Sequence, residues 1–231
     1  MLCSGIIEKG RKELENIERM NESLKEQGCE DDDIKTAIDL MACIVFFDKE
    51  IFGETNISLN LNSRDDCDML AAYHSPEEIP DFPSGLYQVR VKKLFNDLTN
   101  WNARITFFEK DGKPGKDNLE DYRKASLQEK VVMKGCHEVR HQYQIIKKAI
   151  ILQPYGIYYD SQINAYVKSM REAMENDIDN FYKGYEENKR LLEFDARVIE
   201  RIIFGEFNGK ITESRICEII KTEVYSIGYL Q

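Results

Sequence analysis

The tightest constraint on the fold lies between Ser126 and Pro154. Ser126-Leu127-Gln128-Glu129 matches a capping box, in which a serine hydroxyl and a glutamate three residues later satisfy the free N–H groups of a first helical turn. Val132, Cys136, Val139, Tyr143, Ile146 and Ile150 then recur at the spacing of one helix face. Pro154 disfavours continuation, so the spacing predicts a helix from about 126 to 151. A helix with such a stripe draws most of its stability from what covers it, so the rest of the chain has to supply a partner surface.

The other side of this helix carries the chemistry. The chain has three histidines, and two of them, His137 and His141, stand four residues apart with Glu138 directly after the first. At roughly 100° per residue the two imidazoles lie about 40° apart, one turn above the other, and Glu138 lies about 60° beyond His141. Two imidazoles so placed converge on one ion, and the carboxylate between them reaches a water bound to it; the spacing is that of a zinc site. Leu127, Val131, Met133 and Ile145 flank this side, which predicts packing on both sides of the helix, although Lys130, Lys134 and Lys148 share it.

A catalytic zinc needs a third protein ligand. His74, in "AAYHSPEE", reads as a solvated loop residue, so a later carboxylate is expected. In "NKRLLEFDARVIERIIF", a predicted helix over 187–205, Leu191, Leu192, Val198, Ile199, Ile202 and Ile203 form one apolar face. Asp195 falls near its middle, while Glu193, Arg197 and Glu200 fall on the opposite side. A carboxylate on a core-facing stripe is costly unless paired, hydrogen-bonded or bound to metal, so Asp195 is the favoured third ligand. Glu193 is the first alternative, and Glu175, in the cluster "MENDID" on a predicted helix over 161–184, the next.

The remaining chain reads as α+β and rich in helix. Ile7, Leu14, Ile17 and Leu24 keep a helical beat, and Ile34, Ile38, Met41 and Val45 mark a second helix after the acidic "CEDDD". "NISLNLN" alternates as a half-buried strand, Tyr87 to Trp101 recur at helical spacing, and "ARITFFEKDG" reads as a β-rich run ending in a turn. A last helix is expected near 212–224. The division expected is an N-terminal helical or α+β portion over 1–102 and a site-bearing portion over 103–231, joined as one continuous globular domain.

Composition narrows the function. A net charge of −10 argues against nucleic acid or an anionic membrane as partner, and the most apolar stretch, Ile44 to Phe47, is far too short to span a bilayer. The N-terminus lacks the basic region of an export signal. Six cysteines without a CxxC pair fit reduced, buried thiols. A cytoplasmic protein is expected.

"HEVRHQYQ" followed by "LLEFDARVIERI" resembles zincin-type metallopeptidases, and more narrowly the short bacterial and phage proteins of the ImmA/IrrE type, whose second helix bears an E-x-E-A or E-x-D-A signature that Glu193-Phe194-Asp195-Ala196 matches. The resemblance covers about residues 103–205. It implies a zincin-like domain with a small sheet preceding the HExxH helix and helices after it. It also implies zinc held by His137, His141 and Asp195, Glu138 as catalytic base, and a peptide or protein substrate. The family usually has Glu where Asp195 stands, and the 54 positions from His141 to Asp195 are more than compact members have. The competing expectation is a catalytically weak or inactive zincin-like protein that serves as a binding or regulatory module.

Overall fold

The computed structural model describes residues 2–53, 57–63, 70–83, 85–100, 125–147, 149–150, 187–207, 211–221 and 225–226. The N-terminal helical beat is cut into two helices, α1 (Leu2–Glu13) and α2 (Ile17–Glu26). The break falls at Asn16, which adopts a left-handed conformation (φ 58°) that asparagine tolerates better than most residues. Next comes α3 (Asp31–Phe52), opening on three aspartates that complement the positive end of its dipole. It is the central element of the core, with Ile34, Ile38, Met41 and Ile44 all buried.

Three strands follow, β1 (Ser58–Asn62), β2 (Ala71–His74) and β3 (Leu86–Arg90), then a short helix α4 (Leu94–Thr99). They form a sheet in the order β1-β3-β2. Ser58 pairs with Leu86 in the parallel ladder, and His74 pairs with Leu86 in the antiparallel one. Two expectations change here. His74 lies at the end of a strand, not in a loop. The segment expected to be helical from Tyr87 is a strand before it becomes a helix. Tyr87, Val91 and Leu94 keep a helical count, but Tyr87, Val89 and Val91 also alternate, and pairing on both edges of β3 settles the choice. Asp33 of α3 then starts α4, its two carboxylate oxygens accepting 2.8 Å hydrogen bonds from the backbone N–H groups of Lys93 and Phe95.

The helix α5 (Leu127–Lys147) carries the HExxH motif. The capping box is present: the Glu129 carboxylate accepts from the Ser126 backbone N–H at 2.6 Å, and the Ser126 hydroxyl accepts from Glu129 N–H. The helix ends four residues earlier than expected, and Ala149–Ile150 (β4) pairs antiparallel with Tyr225–Ser226 (β5). Between them in sequence lie α6 (Glu187–Phe207) and α7 (Glu213–Ile220), the latter capped by the Thr212 hydroxyl.

Burial explains the arrangement. Every residue from Lys130 to Arg140 is buried, so α5 is covered on both sides, as its flanking apolar residues predict. Val132, Cys136 and Val139 join α3 residues in one apolar cluster that also takes in Ile199, Ile202 and Ile203 of α6. Helix α3 comes close enough to α5 that a Cβ on Gly135 would stand 2.8 Å from the Cβ of Cys43. A Cβ on Gly10 would stand 1.9 Å from the Ala42 carbonyl oxygen, so α1 also packs backbone-to-backbone on α3. The fold is therefore α+β and rich in helix. The β-rich run expected over 103–112 and the helix over 161–184, with Glu175, lie outside the described residues. No helix among the described residues is long and apolar enough to cross a membrane. Cys3, Cys29, Cys43, Cys136 and Cys217 are buried free thiols.

Candidate metal centre

The polar sides of α5 and α6 face each other across a buried seam. His137 Nε2 and His141 Nε2 lie 3.0 Å apart. Glu193 Oε2 is 3.5 Å from the first and 3.3 Å from the second. Two zinc bonds of about 2.05 Å at a tetrahedral angle would put their donor atoms roughly 3.3 Å apart. The three donors thus form a triangle of the right size for one tetrahedral zinc, and they are the one such group found among the described residues. His137 is buried, whereas the His141 side chain is 16 % exposed, so any opening to solvent lies on the His141 side.

Each ring nitrogen that faces away from the triangle has an oxygen near it, and for His141 the contact is a hydrogen bond. His137 Nδ1 lies 3.1 Å from Glu200 Oε1, a carboxylate only 1 % exposed, although the N–H is not well aligned with it. His141 Nδ1 lies 2.9 Å from Gln144 Oε1. The Gln144 acceptor keeps the His141 proton on Nδ1 and leaves its Nε2 lone pair turned inward, as a metal-bound histidine requires, and the Glu200 carboxylate beside His137 Nδ1 favours the same arrangement electrostatically. Arg197 Nη2 stands 2.9 Å from the other oxygen of Glu193, and Lys134 Nζ stands 2.8 Å from Glu138 Oε1. The second oxygen of Glu138 is buried without a hydrogen-bond partner among the described residues.

Charge in this seam is nearly balanced. Three carboxylates, Glu138, Glu193 and Glu200, face the two fixed cations Lys134 and Arg197. Burial and the Lys134 ammonium depress the His137 pKa, yet Glu200 and Glu193 outweigh them and raise it to about 9. A proton there offsets the excess negative charge in the absence of a metal. Burial works against ionising Glu193, but the two histidines and Arg197 overcome it and hold its carboxyl well below the usual range. Glu138 is likewise lowered, with Lys134 and the histidines opposing its burial. Burial pulls the Lys134 pKa down, and the three carboxylates more than restore it.

Asp195 occupies a different place from the one expected. It is buried, 1 % exposed, as its position on the apolar face of α6 predicts. Its partner is a guanidinium: Arg140 Nε donates to Oδ2 at 2.6 Å and Arg140 Nη2 to Oδ1 at 3.2 Å, a two-pronged pair. Glu193, the first alternative, is the carboxylate that meets the two histidines. The physical reason is that the side of α6 bearing Glu193 and Glu200 is buried against α5 and not solvated. The stripe Glu193, Arg197, Glu200 (i, i+4, i+7) lies against the stripe Lys134, His137, His141 (i, i+3, i+7) of α5, and both are buried or nearly so. The two polar stripes are visible in the sequence, but that they face each other depends on how the helices dock. Tyr143 packs as expected, its ring 6.0 Å from that of Phe52 and 5.4 Å from the Arg140 guanidinium carbon.

Compared with protein-family models, with curated proteins and with solved structures, the chain matches none.

Proposed function

We propose that this protein is a zinc-dependent metallopeptidase of zincin type, with zinc held by His137, His141 and Glu193 and with Glu138 as general base. The observation that carries the reading is the triangle of three donor atoms spaced 3.0–3.5 Å apart, with the His141 ring held by Gln144 and a carboxylate, Glu200, beside His137 Nδ1. Zinc in such a position supplies a Lewis acid that polarises a peptide carbonyl and brings the pKa of a water molecule towards neutrality. The chain's own residues do the rest. Lys134 anchors one oxygen of Glu138, and the other stays free to take a proton from the attacking water and pass it to the departing amine. Burial of the seam excludes bulk water and strengthens these interactions. A peptide or protein is the substrate class this chemistry serves.

The test is substitution of the base. Glu138→Gln removes the proton acceptor and leaves all three ligands in place. Full zinc occupancy with peptide hydrolysis reduced by at least 100-fold is the expected result, given what a positioned general base contributes. Undiminished hydrolysis in Glu138→Gln would remove Glu138 from the chemistry.

One observation favours a second reading, a zincin-like module with weak or no turnover. The 2.8 Å contact with Lys134 lowers the basicity of Glu138, and a weaker base is a poorer proton acceptor. A protein that binds zinc stoichiometrically, yet hydrolyses no peptide in either wild-type or Lys134→Met form, is the result that reading expects.

A further inference from the structure

His141 is linked to Asp195 of α6 through Gln144. Gln144 presents its carbonyl oxygen to His141 Nδ1 at 2.9 Å, and its amide nitrogen donates to Asp195 Oδ2 at 2.5 Å and to the Leu192 carbonyl at 2.9 Å. A glutamine amide has an oxygen end and a nitrogen end of nearly the same shape, so its neighbours decide which end points where. Here two acceptors, a carboxylate and a main-chain carbonyl, hold the nitrogen on the α6 side. The oxygen must then face His141, and an acceptor in that place keeps the ring proton on Nδ1.

Asp195 is held in turn. Arg140 grips both of its oxygens and also donates from Nη1 to the Ile220 carbonyl at the end of α7, 2.6 Å away. Arg140 is fully buried and Gln144 fully buried, so the whole chain of contacts sits in a low-dielectric interior where each bond is strong and each mismatch costly. His137 has the simpler support, a single carboxylate.

We propose that Gln144 and Asp195 are positioning residues for the metal centre: Asp195, fixed by Arg140, orients the Gln144 amide, and the amide fixes the His141 tautomer that turns Nε2 towards the ion. This rests on the metal-site reading above. Asp195→Asn tests the relay because Oδ2 accepts from both Arg140 Nε and Gln144 Nε2, while Oδ1 accepts from Arg140 Nη2. An asparagine has one acceptor oxygen and no charge for these three donors, and its N–H group confronts one of them, which loosens the hold on the Gln144 amide.

The experiment measures zinc affinity by competition with a chromophoric chelator on the full chain, as wild type, Asp195→Asn, Gln144→Met and the double variant. The visible absorption of the cobalt(II) form is recorded alongside. Each single variant is expected to weaken zinc binding about 10–100-fold, the usual effect of losing an outer partner of a ligand. The cobalt band should lose the intensity of a tetrahedral site. The double variant should bind no more weakly than Gln144→Met alone, because Asp195 acts through that residue. Wild-type affinity in Gln144→Met, or losses that multiply in the double variant, would overturn the proposal. Gln144→Met leaves the Arg140–Asp195 pair whole, so it carries the test even if Asp195→Asn fails to fold. A wild-type protein that binds no zinc contradicts the metal site itself, an outcome distinct from variants that bind as well as wild type.

Discussion

Individual side chains in the seam behave as linked pairs, and each pair gives a measurable consequence. Arg140 and Asp195 are both fully buried and hydrogen-bonded in a fork. Removing the carboxylate partner of a buried guanidinium, or the reverse, strands a charge. Arg140→Ala is therefore expected to lower unfolding stability by about 3–5 kcal/mol in chemical denaturation. A loss under 1 kcal/mol would mean the pair is solvated in solution. The titration of His137 has a sign that can be checked in metal-free protein. Its folded pKa is raised to about 9 from an ordinary value of 6.5, so the proton stabilises the fold fully below 6.5, and that contribution disappears as pH rises through 9. Metal-free protein should lose stability between pH 6.5 and 9, and zinc binding near pH 7.5 should release a proton, seen as a binding enthalpy that varies with buffer ionisation. Binding heats independent of buffer would contradict that assignment. At this scale the sequence was informative about His137, Glu138 and His141, whose spacing fixes their geometry on one helix. It was uninformative about which carboxylate joins them, because Glu193 and Asp195 differ only in which face of α5 they meet, and that depends on how two helices dock.

Among the elements, α3, α5 and α6 form the stack that brings the site together. Two crossings on α3 depend on glycine, Gly135 of α5 against Cys43 and Gly10 of α1 against Ala42. Gly10→Ala would place a methyl carbon 1.9 Å from the Ala42 carbonyl oxygen, which only a shift of α1 against α3 relieves. A loss of about 2 kcal/mol is expected, in the range of overpacked cores. A neutral Gly10→Ala would show that α1 has room to move. Asp33→Ala leaves the first N–H groups of α4 without their acceptors and should cost about 1–2 kcal/mol. The helices α3, α5 and α6 were legible from periodicity and capping signals, and strand β1 from its alternation. The strand β3 was not. Tyr87, Val91 and Leu94 satisfy a helical count, and only neighbouring strands, remote in sequence, make the extended form the better one. The split between α1 and α2 was equally hidden, since the apolar count continues across Asn16 while the backbone turns.

Considered as a whole, the molecule rests its candidate metal centre on its N-terminal half. Ile6, Ile38, Cys43, Val132 and Ile202 belong to one apolar cluster, so the covering surface of the HExxH helix comes from residues far upstream. A fragment of residues 103–231 lacks that cover and is expected to unfold without cooperativity, with and without zinc, in a thermal melt followed by circular dichroism. Cooperative unfolding of the fragment would show that the upstream helices are dispensable. In the intact chain, zinc at a thousandfold excess over its Kd should add about 4 kcal/mol, or roughly 10 °C in Tm. The net charge and composition indicated none of this interdependence, because it arises from docking and not from residue content.

The most direct test is the zinc content of three purified full-length proteins, wild type, Glu193→Ala and Asp195→Asn, after zinc is supplied at low excess. About one zinc per chain is expected in wild type, since the donors form one site. Glu193→Ala should lose it, and Asp195→Asn should still take up about one zinc, more weakly, when the excess is raised. Retention in Glu193→Ala with complete loss in Asp195→Asn at every zinc concentration would contradict the site described, and would place the third ligand on the other face of α6.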